Sequence, residues 1–73
     1  MVKIPVVSGK ELIQILEQQG FEVVRTKGSH VSLRKVTESG VWKTVVPLHD
    51  TLARGTLMDI LRQAGVSKDK LRG

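Results

Sequence analysis

The sequence predicts a two-layer α+β fold of order α-β-β-β-α, a three-stranded antiparallel sheet with both helices on one face, and three observations carry this. Two amphipathic segments of closely similar pattern lie towards the two ends of the chain, at residues 11–21 and 56–66. Three segments rich in β-branched residues lie between them. The breaks between those segments, Lys27-Gly28 and Thr37-Glu38-Ser39-Gly40, are too short for anything but antiparallel hairpins. A length of 73 residues predicts one domain over residues 1–73, because so short a chain cannot divide its apolar residues between two cores.

Helix one is predicted to start after Ser8, which with Glu11 three residues on forms a capping box, while Val7 and Leu12 are spaced for a hydrophobic staple. Leu12, Ile15, Leu16 and Gln19 share a stripe, and Gly20 is placed to end the helix in the left-handed region with Phe21 folding back towards Leu16. The strands are predicted over Phe21–Thr26, Ser29–Val36 and Val41–Val46. In the second, Val31 and Leu33 alternate with His30, Ser32 and Arg34, so the apolar pair faces the helices and His30 and Arg34 share the open face. The third alternates poorly: Val41, Lys43 and Val45 against Trp42, Thr44 and Val46 leaves its inner face undecided, and Pro47 is expected to end it.

Leu57, Ile60, Leu61 and Ala64 form the stripe of helix two, ended by Gly65 with Val66 folding back on Leu61. ELIQILEQQGF and TLMDILRQAGV share a Leu, an Ile-Leu, a Gln and a terminal Gly at equal offsets, as two helices packing alike on one sheet face would. Ser67 is placed to cap a short last turn through Leu71, before a charged end at Lys68–Gly73. Double-stranded-RNA-binding domains share this topology, which by itself is a weak warrant for function.

Composition removes several chemistries. With no cysteine there is no disulfide, thiolate zinc site, iron-sulfur cluster or cysteine nucleophile. No run approaches the ~18 apolar residues of a membrane span, and MVKIPVVSGKE lacks the long apolar core of a signal peptide, so a cytoplasmic protein without membrane contact is expected. The two histidines, His30 and His49, with His49 directly beside Asp50, do not make a metal-ligand pattern, and neither metal nor cofactor is expected. There is no GxxxxGK phosphate loop.

The charge is concentrated. Overall 12 basic residues stand against 7 acidic ones, while residues 25–43 carry Arg25, Lys27, Arg34, Lys35 and Lys43 against Glu38 alone, a local net of +4. Residues 1–20 balance, with Lys3 and Lys10 against Glu11 and Glu17. A field focused in this way favours a polyanion, although a merely solvated surface has the same composition. His30 lies within it. An imidazole exchanges a proton near neutral pH and neighbouring cations stabilise a phosphate in its transition state, which suffices to cleave RNA when the 2′-hydroxyl is the nucleophile. The plain reading of His30 is a surface histidine donating to a backbone carbonyl.

Three further residues or pairs have two readings. His49 is either the general acid, if its loop folds back over the sheet, or a residue whose hydrogen bonds hold the start of helix two. Gly55-Thr56 is either a phosphate site made of unpaired backbone N–H groups or an ordinary helix start. Trp42, the one tryptophan, fits core or interface better than base stacking, since so few aromatics make no stacking platform.

The run Gly20-Phe21-Glu22-Val23-Val24-Arg25-Thr26-Lys27-Gly28-Ser29-His30, joined downstream to Val46-Pro47-Leu48-His49, Gly55-Thr56-Leu57 and Ile60-Leu61-Arg62-Gln63-Ala64-Gly65, resembles the HicA family of toxins from Ser8 to about Ser67. The resemblance implies an mRNA-cleaving toxin with a double-stranded-RNA-binding-domain-like fold, its catalytic histidine at His30. It implies inhibition by a HicB-like antitoxin, and operator DNA bound only by the toxin-antitoxin complex. Val31 stands where many members have a further histidine or an aromatic. RNA contacts are expected at Arg25, Lys27, Arg34, Lys35 and Lys43 by charge, and at Gly28 and Ser29 as part of the Lys-Gly-Ser-His element. A non-catalytic RNA-binding module would share the charge and topology, and His30 is what separates the two.

Overall fold

The capping box forms as a reciprocal pair: the Glu11 N–H donates to Ser8 Oγ at 3.0 Å, and the Ser8 N–H donates to the Glu11 carboxylate at 2.9 Å. This computed structural model describes residues 6–71, so the first five residues of the amino-terminal stretch read for a leader, Lys3 among them, and Arg72 and Gly73 lie outside the described residues. Helix α1 spans Gly9–Gln18, with Val7 and Leu12 both buried at its start as a staple requires. It closes with the Phe21 N–H donating to the Leu16 carbonyl at 3.0 Å. Phe21 is buried in that closure, so the first strand begins one residue later than expected.

Strands β1 (Glu22–Lys27), β2 (His30–Thr37) and β3 (Gly40–Pro47) form an antiparallel sheet of order β1-β2-β3. Val31 and Leu33 are buried towards the helices, as their alternation requires. Register then resolves β3, because Val31 pairs with Val46, Leu33 with Thr44 and Lys35 with Trp42, and directly paired residues share a face. Trp42, Thr44 and Val46 therefore turn inward. A buried threonine is tolerated there because its Oγ1 donates to Gln63 Oε1 at 3.0 Å.

Helix α2 (Arg54–Ala64) starts at Ala53 with no side-chain cap and ends at Gly65, whose φ of 65° allows the Val66 N–H to reach the Leu61 carbonyl at 3.0 Å. The matching stripes serve alike: Leu12 and Leu57, and Leu16 and Leu61, are all buried in one core with Leu33 and Val46. The two helices thus cover one sheet face, and the fold is α+β. Trp42 lies against the end of α2 so closely that a Cβ on Gly65 would sit 3.0 Å from its ring. Ser67 caps the last turn by accepting from the Asp69 N–H at 3.3 Å, and the 3-10 turn Lys68–Leu71 seats Leu71 in the core. Among the described residues no helix is long and apolar enough to cross a membrane.

The segment between β3 and α2 returns to the start of α1, where the Gly9 N–H donates to the His49 carbonyl and the Leu52 N–H to the Val7 carbonyl, both at 2.9 Å. This corrects the expectation for His49: its backbone holds the start of helix one rather than helix two. Gly9 is buried so tightly that a Cβ would overlap the Pro47 carbonyl oxygen and lie 3.0 Å from Leu48 Cα.

Candidate nucleic-acid interface

Lys27-Gly28-Ser29-His30 folds as a two-residue hairpin in which Lys27 and His30 are directly paired. Gly28 has φ 58° and no non-glycine residue among the described residues has positive φ, the arrangement of a type II′ turn, whose first central position is the one that wants glycine. The element thus seats a lysine beside the histidine, with Cα atoms about 5 Å apart and both side chains on the face away from the helices. The turn is tied down by Leu48, whose N–H donates to the Ser29 carbonyl at 2.6 Å. His30 is exposed.

A β-bulge completes the site. Between Val23, paired with Leu33, and Arg25, paired with Ser32, β1 has one more residue than β2, namely Val24. Strict alternation from Glu22 would turn Arg25 and Lys27 towards the helices. The extra residue shifts parity, so both cations join His30 on the open face, and the distorted edge is a poorer template for unwanted strand pairing.

Three rows of residues cross this face. Lys27, His30 and Pro47 form the first, Arg25, Ser32 and Val45 the second, and Glu22, Arg34 and Lys43 the third. Rows lie two residues apart along β2, so the third is about 13 Å from the first. Arg34 Nη2 donates to Glu22 Oε1 at 3.0 Å, with both side chains substantially exposed. Beyond the third row the charge stops at the paired Val36 and Val41, both exposed. A groove of about 530 Å³ at the middle of the sheet is bordered by Arg25, Ser32, Arg34 and Lys43 together with Leu33, Thr44 and Gln63 of the helix side.

Six of the seven expected contact residues belong to this face or to the turn that closes it: Arg25, Lys27, Arg34 and Lys43 on the face, and Gly28 and Ser29 as the two turn residues. Lys35 does not share the face. It is paired with Trp42 on the helix side, and its Nζ stands 6.0 Å from the centroid of the Phe21 ring. Strand parity carries that signal, since Lys35 follows Val31 and Leu33 at steps of two, whereas charge counting does not see it. Gly55 and Thr56 start α2, which packs on the opposite side of the sheet, and the His49 side chain is exposed in the loop after β3. Among the described residues no three of His, Asp and Glu lie together as a metal-binding group would. Glu22 and the Val24 bulge are features of this face that composition and motif spacing left unremarked.

The Lys-Gly-Ser-His turn, the basic sheet face and the helix arrangement coincide with a family match: residues 9–66 fit the family described as "HicA toxin of bacterial toxin-antitoxin". The chain belongs to the HicA toxin family. The match runs from the first residue of α1 to the residue that closes α2, so it takes in every element around the open face. Membership makes this HicA chain the toxin of a toxin-antitoxin system. No curated protein matches the chain significantly.

Proposed function

We propose that this HicA protein is an endoribonuclease that cleaves mRNA, with His30 as the acid-base residue, and that a HicB-like antitoxin neutralises it by covering the same face. One observation carries the reading: an exposed imidazole is paired across a tight turn with Lys27, on a face that also presents Arg25, Arg34 and Lys43. His30 takes the proton of the ribose 2′-hydroxyl as its oxygen attacks the adjacent phosphorus. The P–O5′ bond breaks, a 2′,3′-cyclic phosphate forms, and the departing 5′-oxygen is protonated by water or a nearby acid. Lys27 and Arg25, on the strand beside His30, stabilise the charge that builds on the phosphoryl oxygens. Since the substrate supplies the nucleophile, the reaction calls for no metal-bound hydroxide.

Family membership supports the partners as well. A basic face on so small a toxin suits an acidic inhibitor, and the resulting complex, not the free toxin, is the species proposed to bind operator DNA. The test is His30→Ala, which removes an exposed side chain and leaves the core intact. RNA binding is expected to persist while cleavage falls by about 10²- to 10⁴-fold, the usual worth of a positioned acid or base. Undiminished cleavage would end the assignment, and binding without cleavage by the wild type would leave an RNA-binding module.

A further inference from the structure

The charges on the open face are arranged obliquely. On β1 the sequence of rows is Lys27, Arg25, Glu22; on β3 it is Pro47, Val45, Lys43. Cations therefore occupy the β1 side next to His30 and the β3 side in the third row. Glu22 is the one carboxylate in the three strands, and it closes the remaining corner on β1. Arg25, Ser32, Arg34 and Lys43 also border one groove, which Glu22 does not line. From Lys27 to Lys43 the path crosses two strand spacings and two rows, about 16 Å.

We propose that single-stranded RNA crosses the open face on this diagonal, from Lys27 and Arg25 over Ser32 to Lys43, and that Glu22 is a specificity-determining carboxylate that bars the straight path along β1. The proposal rests on the reading that this face binds RNA. A phosphate placed over β1 in the third row would meet Glu22 directly and would find Arg34 already engaged by it at 3.0 Å. Over β3 the same phosphate meets Lys43 and the far side of the Arg34 guanidinium. The Arg34–Glu22 pair is too exposed to be a stability device, since such pairs contribute ~0–1 kcal/mol, which leaves it available as a fence. The paired Val36 and Val41 end the track beyond the third row.

The prediction is a coupling with a definite sign. Wild type, Glu22→Gln, Lys43→Gln and the double variant are titrated with a short single-stranded 2′-O-methyl RNA, which cannot be cleaved, over a range of salt. Both substituted sites are exposed, and circular dichroism confirms folding. Glu22→Gln should bind about two- to fivefold tighter, and Lys43→Gln should weaken wild-type binding by about the same factor. In the Glu22→Gln background the Lys43 substitution should cost clearly less, because the path along β1 is then open. The salt slope should drop by about 0.7 on losing Lys43 only while Glu22 is present. An additive cycle, or a Lys43→Gln variant that binds as wild type does, overturns the diagonal path. Absence of RNA binding by all four proteins would instead remove the RNA reading on which the proposal stands.

Discussion

Gly9 and Gly55 stand at the first and second positions of their helices, and Gly→Ala at the two should act with opposite sign. By helix propensity alone both substitutions stabilise. At Gly55 a Cβ meets nothing within 4 Å, so Gly55→Ala should gain about 0.5 kcal/mol. At Gly9 the added methyl would overlap the Pro47 carbonyl oxygen and touch Leu48 Cα, both backbone atoms that no rotamer change can move. Relief requires α1 to withdraw from the end of β3, which also breaks the Gly9 N–H to His49 carbonyl bond. Overpacking at about 2 kcal/mol, the middle of its usual range, and one lost hydrogen bond at about 1 kcal/mol come to about 3 kcal/mol. A chain of this size has about 4–11 kcal/mol of stability in all. Thermal unfolding followed by far-UV circular dichroism should therefore show Tm about 12–24 °C lower for Gly9→Ala and about 2–4 °C higher for Gly55→Ala. A Gly9→Ala protein as stable as the wild type would refute the close approach of helix and strand.

Other outcomes follow from the hairpin and the charges. Gly28→Ala puts a Cβ on a residue at φ 58° and should destabilise by about 1–2 kcal/mol, measurable by urea unfolding, while Gly28→Asn should be milder. Cleavage of RNA should persist in EDTA, and a DNA strand of the same sequence should stay intact because it lacks the 2′-hydroxyl; loss of activity on chelation, restored by one metal, would oppose the mechanism. Arg34→Glu should weaken RNA and antitoxin binding together with a shallower salt dependence, whereas Lys35→Glu, on the helix side, should disturb both far less. If Lys35→Glu proves the more damaging in stopped-flow association with the antitoxin, the inhibitor approaches from the helix side instead.

Wherever the controlling interaction is local, the sequence was sufficient. The capping box at Ser8 and Glu11, the left-handed glycine after each helix and the Lys-Gly-Ser-His hairpin each close within a few residues, so residue type and spacing decide them. The alternation of β2 likewise placed His30 and Arg34 on the open face and Val31 and Leu33 on the core. Tertiary structure alone decided what depends on a partner element. The inner face of β3 was settled by register with β2 and by a Gln63 side chain on α2 that satisfies Thr44. Arg25 and Lys27 reached the open face through the Val24 bulge, which inverts the parity that a regular strand would have imposed. Glycine is by propensity a poor helix former, and the need for it at Gly9 arises only when the carbonyl of Pro47 is brought against it from the far end of another strand. A residue's type and spacing fix the periodicity it follows, but which backbone it must clear, and which neighbour it faces, exist only once the elements have packed.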